Sequence, residues 1–304
     1  MLECVPNFSA GRDPEIVASI VEAIATTPGV WLLGHESDVD HNRAVVTFAG
    51  ELPSIVEAAV RAVERAAERI DLNSHDGVHP RLGAADVIPF VPLQGSTMAE
   101  AVQAAHAAGA KIWSRLGIPV YFYEHAASSS ERRPLQRMRR RGFEQLREDH
   151  AAHPADLGEA PHPTAGATLV GARDFLVAYN IVLDSNDLAI ARRIAAAIRE
   201  SSGGFPFLKA LGLYLPSSDR VQVSMNLTNF AAIPLADVYT AVESRAGIEG
   251  TSIFENELIG FVPQRAFDLA PEIYRRCRDF SDQRILERRL ATVMAADGPR
   301  KTSP

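Results

Sequence analysis

Cysteine is scarce: the chain of 304 residues has two, Cys4 and Cys277. They lie far apart, outside any CxxC or Cys/His spacing, so neither a disulfide framework nor a zinc finger is indicated. No apolar run approaches the roughly 20 residues that a membrane span needs. The start Met1-Leu2-Glu3-Cys4-Val5-Pro6 lacks the basic and apolar regions of a secretory signal. These absences predict a soluble, cytoplasmic protein with no membrane partner. Positive charge is also short: 31 Lys and Arg stand against 38 Asp and Glu, a formal net charge of −7. A nucleic acid, whose phosphate backbone rewards dense Lys and Arg, is therefore not an expected partner. An anionic small molecule would need a local basic pocket.

What is present is a globular composition, 46% hydrophobic and 23% charged. A chain of this length usually divides into about two cores. Leu2 to Val5 reads as a strand, and Asp13-Pro14 followed by Ile16, Ile20, Ala23 and Ile24 as a capped helix with one apolar stripe. Val30 to Leu33 and Arg43 to Phe48 read as strands, Ser54 to Ile70 as a helix, Asp86 to Val91 as a short apolar run, Met98 to Leu116 as a helix and Pro119 to Tyr123 as a strand. From Phe175 the rhythm returns: strand to Leu183, helix Asn186 to Glu200, strands Leu208 to Leu215 and Val221 to Leu227, helix Pro234 to Arg245, strand Ser252 to Val262. The expected fold is α+β, two ferredoxin-like βαββαβ sandwich subdomains with antiparallel sheets, each covered by helices on one face, and a cleft between them. The first spans residues 1–163 with a connector, the second 164–304. Within the connector, Arg132, Arg133, Arg137, Arg139, Arg140, Arg141 and Arg147 read as a solvated helix face, or else as a phosphate or polyglutamate site. The tail from Ala295 to Pro304 is expected to fray.

Reactive side chains concentrate in three stretches. His75-Asp76-Gly77-Val78-His79-Pro80-Arg81-Leu82-Gly83-Ala84 lies between a helix and a strand. Gly77 and Pro80 argue against one helical turn carrying both histidines to a metal, so no metal is expected. A histidine titrating near neutrality can accept and donate a proton, and an adjacent arginine can hold a carboxylate. Equally, the stretch could be a turn whose His79 caps a helix. Glu36-Ser37-Asp38-Val39-Asp40-His41-Asn42-Arg43 crowds acids, an amide and a guanidinium at a strand entry, as a ligand loop or an Asx-type turn. The third, from Pro161 to Arg173, is rich in small residues, so backbone could approach a flat ring. It lacks the GxxxxGK[ST] pattern of a phosphate loop and no strand leads into it as a dinucleotide fingerprint requires.

In order along the chain, Glu3-Cys4-Val5-Pro6-Asn7-Phe8-Ser9, Asp40-His41-Asn42-Arg43, His79-Pro80-Arg81-Leu82-Gly83-Ala84 with Asp86, Gly166-Ala167 with Gly171-Ala172-Arg173, and Val221-Gln222-Val223-Ser224-Met225-Asn226-Leu227 resemble the formiminotransferase family. That fold occurs as the N-terminal part of bifunctional formiminotransferase-cyclodeaminases and as a free-standing bacterial enzyme. The resemblance implies His79 as the catalytic acid and base. It implies a folate site on the loop entering the glycine-rich stretch, here Leu157, Gly158, Pro161, His162, Pro163, Thr164, Ala165 and Gly166. Two departures bear on the site: Val78 where the family often has Glu, and Asp156-Leu157-Gly158-Glu159 where it often has Asp-Phe-Gly-Pro. Near the C-terminus, Phe254-Glu255-Asn256-Glu257-Leu258-Ile259 is bulkier and more acidic than the family pattern.

The implied activity is glutamate formimidoyl transfer in histidine degradation: the formimino group of N-formimino-L-glutamate passes to the co-substrate tetrahydrofolate, giving 5-formiminotetrahydrofolate and glutamate. Charge complementarity assigns Arg43 and Arg81 to the glutamate carboxylates, and Asp38 and Asp40, with Asn42 beside them, to the cationic formimino nitrogen or a pterin edge. A homodimer is expected. The rivals are a metal-dependent formiminoglutamate hydrolase using His75, His79, Asp38 and His41, and a folate-binding relative without turnover. Because the candidates are drawn from both halves, His79 is expected to face the Gly166 loop across a shared cleft of about 300 to 1,000 Å³.

Overall fold

The computed structural model describes residues 1–139 and 142–297. Arg140 and Arg141 of the arginine run, and positions 298–304 of the tail, lie outside the described residues. The chain divides into two compact units at Asp174/Phe175.

The first unit opens with β1 (Leu2–Cys4) and β2 (Asn7–Phe8), then runs α1 (Pro14–Ala25), β3 (Val30–Asp38), β4 (Arg43–Gly50), α2 (Ser54–Arg69), β5 (Ala85–Pro92), α3 (Met98–Leu116) and β6 (Val120–Glu124). The helices α4 (Leu135–Arg139) and α5 (Gly142–Asp149) follow, then β7 (Thr168–Ala172). Local signals set the helix ends. The Asp13 carboxylate accepts the free N–H groups of Glu15 and Ile16, with Pro14 in the first turn. Thr97 and Glu100 close a reciprocal capping box on α3, which stops at Gly117 in the left-handed conformation, φ 64°.

The strands form one seven-stranded sheet, in which β3 pairs with β4, β4 with β1 and β2, these with β5, and β5 with β7, which pairs with β6. The pairs from β3 to β5 are antiparallel, whereas β5–β7 and β7–β6 are parallel. The expectation of an antiparallel sheet is thus corrected at this edge. A helical crossover, α3, returns the chain in the same direction, as parallel neighbours require. The strand β7 falls in the small-residue stretch to which the sequence reading assigned no regular element. It sits between β5 and β6, and a side chain at Gly171 would meet the ring of Tyr123 at 2.5 Å.

The apolar stripes of α1, α2 and α3 bury Ile20, Ile24, Val60, Val63 and Ile112 against Phe8, Phe48, Ile88 and Phe90 of the sheet. Burying each such side chain contributes about 1.5–3 kcal/mol. On the other face, Val87, Tyr121, Tyr123 and Leu169 pack with Leu146 of α5, and with Leu135 and Met138 of α4. The connector is therefore part of the first unit. That contact, together with the pairing of β7, places the division beyond the 163/164 boundary read from sequence.

The second unit runs β8 (Val177–Leu183), α6 (Leu188–Ile198), β9 (Leu208–Leu215), β10 (Arg220–Leu227), α7 (Leu235–Ile248) and β11 (Ile253–Ile259), followed by α8 (Gln264–Leu269), α9 (Pro271–Tyr274) and α10 (Leu286–Asp297). Its sheet has the order β11-β8-β10-β9, all antiparallel. Strands one to four of this β-α-β-β-α-β run thus lie in the order 4-1-3-2. The first unit carries the same order in β5-β1-β4-β3, with α3, β6 and β7 added at the β5 edge.

Two helical glycines make opposite predictions. A Cβ on Gly109 of α3 would meet Phe122 at 2.6 Å, whereas one on Gly247 of α7 would meet nothing within 4 Å. Gly109→Ala should cost about 1–3 kcal/mol by overpacking. Gly247→Ala should stabilise by up to about 1 kcal/mol through helix propensity. Urea unfolding of both variants measures the contrast; equal shifts would contradict it.

Candidate functional site

The loop between β3 and β4 is locked by its own side chains. The Asp38 carboxylate accepts the His41 backbone N–H at 2.8 Å and lies 2.9 Å from His41 Nδ1. Burial pushes the Asp38 carboxyl up, but these bonds outweigh it and hold the group below its usual range. Asn42, at φ 45°, accepts the N–H groups of Gly11 and Arg12 through Oδ1 and donates Nδ2 to Asp76 O at 2.9 Å. Asx residues tolerate this left-handed conformation.

The second loop docks on the first. Val78 N–H donates to Asp40 O at 3.2 Å, His75 Nε2 lies 2.9 Å from Asn42 O, and a side chain at Gly77 would overlap His41 O. The two polar clusters thus meet, and His79 stands beside His41 with ring centroids 6.1 Å apart. His79 Nδ1 is 2.9 Å from Pro80 O and 3.5 Å from Arg43 Nη1. A carbonyl accepts only from N–H, so this contact puts the neutral ring's proton on Nδ1 and its lone pair on Nε2. Burial, then the charges of Arg43 and Arg139, draw the His79 pKa well below its ordinary value. The ring is therefore neutral at pH 7, with Nε2 a proton acceptor.

Behind His79 lies an ionic cluster. Asp86, on β5, is 0% exposed. Its Oδ1 accepts the Leu82 N–H at 2.8 Å, while Oδ2 accepts Arg43 Nη1 at 2.9 Å and Arg139 Nη2. Arg43 Nε donates to Asn7 Oδ1 at 3.0 Å. Burial pushes the Asp86 carboxyl up, but Arg139 and Arg43 overcome this and hold it far below the carboxylate range. Burial and then Arg139 lower the Arg43 guanidinium to about 10, still charged at neutral pH.

Arg81 belongs to the same loop, but its guanidinium turns to Glu144 of α5 at 2.7 Å and to the carbonyls of Leu72 and His75. Asp40 is buried. Pro161 to Gly166 packs against the His79 loop: Gly83 and Gly166 pair across a β-bridge, and Ala84 N–H donates to Ala165 O. A side chain at Gly166 would overlap Leu82 O. Its glycine thus serves contact with the protein's own backbone, and Ala165 and Gly166 are buried. Leu157, Gly158, Pro161, His162, Pro163 and Thr164 retain exposed surface. Leu157 bridges to Val120 at the start of β6, and Gly158 (φ 93°) abuts Trp113. All these residues lie in the first unit, so Gly166 is not a contribution from a second half.

Sequence reasoning left Asp86 and Asn7 without a role in the site and read Arg139 as part of a solvated helix face, or else of a phosphate or polyglutamate site. The available signal was Asp86 itself: a carboxylate in an otherwise apolar strand must find a partner. Among the described residues, no group of three or more His, Cys, Asp and Glu side chains is placed to hold a metal ion, including His75, His79, Asp38 and His41.

The N-terminal subdomain of the formiminotransferase domain matches residues 1–173, and the formiminotransferase domain matches residues 178–292. The chain is 42% identical to a glutamate formimidoyltransferase of Thermoplasma acidophilum over 95% of this chain and 97% of that protein. It is 40% identical to one from Streptococcus pyogenes, covering 95% and 98%. A formimidoyltransferase-cyclodeaminase of Gallus gallus is 39% identical over 90% of this chain, which covers 52% of that longer protein. The relatives and the α+β scaffold define a transferase. The chain belongs to the formiminotransferase family.

Replacing Asp86 tests the cluster. Asp86→Asn leaves two guanidiniums without a counter-ion and should cost about 3–5 kcal/mol, measured as a shift in the urea midpoint at pH 7. Because the folded carboxyl titrates below its unfolded value near ~3.9, its contribution is fully present above that pH and fades as pH falls below it. The gap between wild type and variant should narrow accordingly; a pH-independent gap would contradict the charge argument.

Proposed function

We propose that this chain transfers the formimino group of N-formimino-L-glutamate to tetrahydrofolate, giving 5-formiminotetrahydrofolate and glutamate. The observation that carries the reading is His79: a desolvated, neutral imidazole with Nδ1 engaged by a carbonyl and Nε2 available for proton transfer, in a chain closely similar to two glutamate formimidoyltransferases.

His79 Nε2 takes the proton from the attacking folate amine and returns one to the departing glutamate nitrogen, a role worth roughly 10²–10⁴ in rate. The Pro80 carbonyl fixes the tautomer through both transfers. Arg43, 3.5 Å from His79, holds substrate carboxylate and keeps the imidazole unprotonated until a proton arrives from the reaction. Asp38, Asp40 and Asn42 shape the loop that faces the formimino group, and Arg81 braces the His79 loop from behind. Tetrahydrofolate lies along Leu157, Gly158, Pro161, His162, Pro163 and Thr164, with Ala165 and Gly166 beneath. The His162 ring, accepting the Ala165 N–H at 3.1 Å, stiffens this stretch. The shared strand order supports reading both units as ferredoxin-like. The working form is a cytoplasmic homodimer, a setting that keeps the buried thiols of Cys4 and Cys277 reduced.

His79→Ala should fold as the wild type does and lose at least about a hundredfold in kcat. In the wild type, kcat/KM should hold level from pH 8 down through about 6.5 and fall only below it, since protonation of His79 is disfavoured. Near-wild-type turnover in the variant would remove His79 from the chemistry. Tetrahydrofolate at about 100 times its Kd should add about 2.7 kcal/mol of stability, read as a rise in Tm. No rise would remove the folate site.

A further inference from the structure

Two guanidiniums share one carboxylate behind His79. The side chains of Arg43 and Arg139 are 12% and 13% exposed and that of Asp86 is 0% exposed. Among the described residues, the ion pairs of both arginines end on Asp86, so one formal positive charge is left in a mostly buried cluster. Such a charge is costly unless something anionic approaches it.

The donors show where. Asp86 Oδ1 serves the Leu82 N–H, and Oδ2 takes both arginines. Arg43 spends Nε on Asn7. Arg81 spends its Nη1 and Nη2 groups on Glu144, Leu72 O and His75 O. The Nε of Arg139, like that of Arg81, is buried and has no hydrogen-bond partner among the described residues, but Arg81 has Glu144 as its counter-ion whereas Arg139 shares Asp86 with Arg43. A guanidinium with an unspent N–H and only a shared anion is a receptor for a carboxylate, which it can grip through two parallel bonds.

We infer that Arg139, beside Arg43, receives one carboxylate of the formimino donor and thereby selects donors that carry a carboxylate. The inference rests on the transfer reaction proposed above and names the subsite within it. Arg139 acts by binding, so its signature is discrimination between donors. Asp86 sets both guanidiniums in place, and the arriving carboxylate supplies the charge that Asp86 alone leaves unbalanced.

The experiment compares wild type and Arg139→Gln with N-formimino-L-glutamate and with an N-formimino alkylamine lacking any carboxylate. A lost charge-assisted contact should lower the kcat/KM ratio of the two donors about ten- to a hundredfold, chiefly through KM for formiminoglutamate, with KM for tetrahydrofolate unmoved. A parallel fall for both donors, or an unchanged ratio, overturns the inference. Should Arg139→Gln fail to fold, Arg139→Lys keeps a cation on Asp86 but loses the fork, and the same drop in ratio is expected, about tenfold. Calorimetric titration with L-glutamate separates this inference from the reaction it rests on. Wild type that binds glutamate at least about tenfold more tightly than the variant supports the subsite even if no transfer is found. Equal affinity in both overturns it.

Discussion

A buried carboxylate between two guanidiniums governs the geometry around His79. Asp86 cannot sit on an apolar strand unneutralised, so it draws Arg43 from the start of β4 and Arg139 from α4 onto one oxygen. Its other oxygen holds the Leu82 N–H and fixes where the His79 loop rejoins the sheet. Three segments distant in sequence are thereby held to a common point. The positive excess then acts on His79, adding to burial in keeping the imidazole neutral.

Around that point, loops are held mainly by backbone and short polar side chains. Asp38 caps the turn to His41, Asn42 ties it to Gly11, Arg12 and Asp76, and Val78 contributes its N–H to Asp40 O. This clarifies the Val78 departure. Val78 is 37% exposed, and its part in docking the loop is played by its backbone N–H rather than its side chain. Glu159 is likewise exposed, immediately after the structurally constrained Gly158.

The added strands of the first unit bring the stretch from Pro161 to Gly166 to the His79 loop. Inserting β7 between β5 and β6 carries Ala165 and Gly166 onto Leu82, Gly83 and Ala84. The arginine-rich connector folds back over the same face, which is why Arg139 reaches Asp86, Glu144 reaches Arg81, and Arg147 reaches Asn73. A segment that composition presents as linker is thus packed onto the ionic cluster beside His79.

Periodicity and capping in the sequence were enough to determine the repeated β-α-β-β-α-β rhythm, because apolar stripes and helix caps are local. The clusters at 36–43 and 75–84 were legible for the same reason: dense polar residues between regular elements mark loops. Sequence could not reveal β7, since Thr168 to Ala172 owes its strand state to pairing on both sides, and Gly171 to the ring of Tyr123. Nor could it separate Arg139 and Arg43, which meet Asp86, from Arg81, which turns to Glu144. A guanidinium's residue type states its charge, but its partner is whichever buried acid the fold brings within reach, and only the tertiary structure decides that.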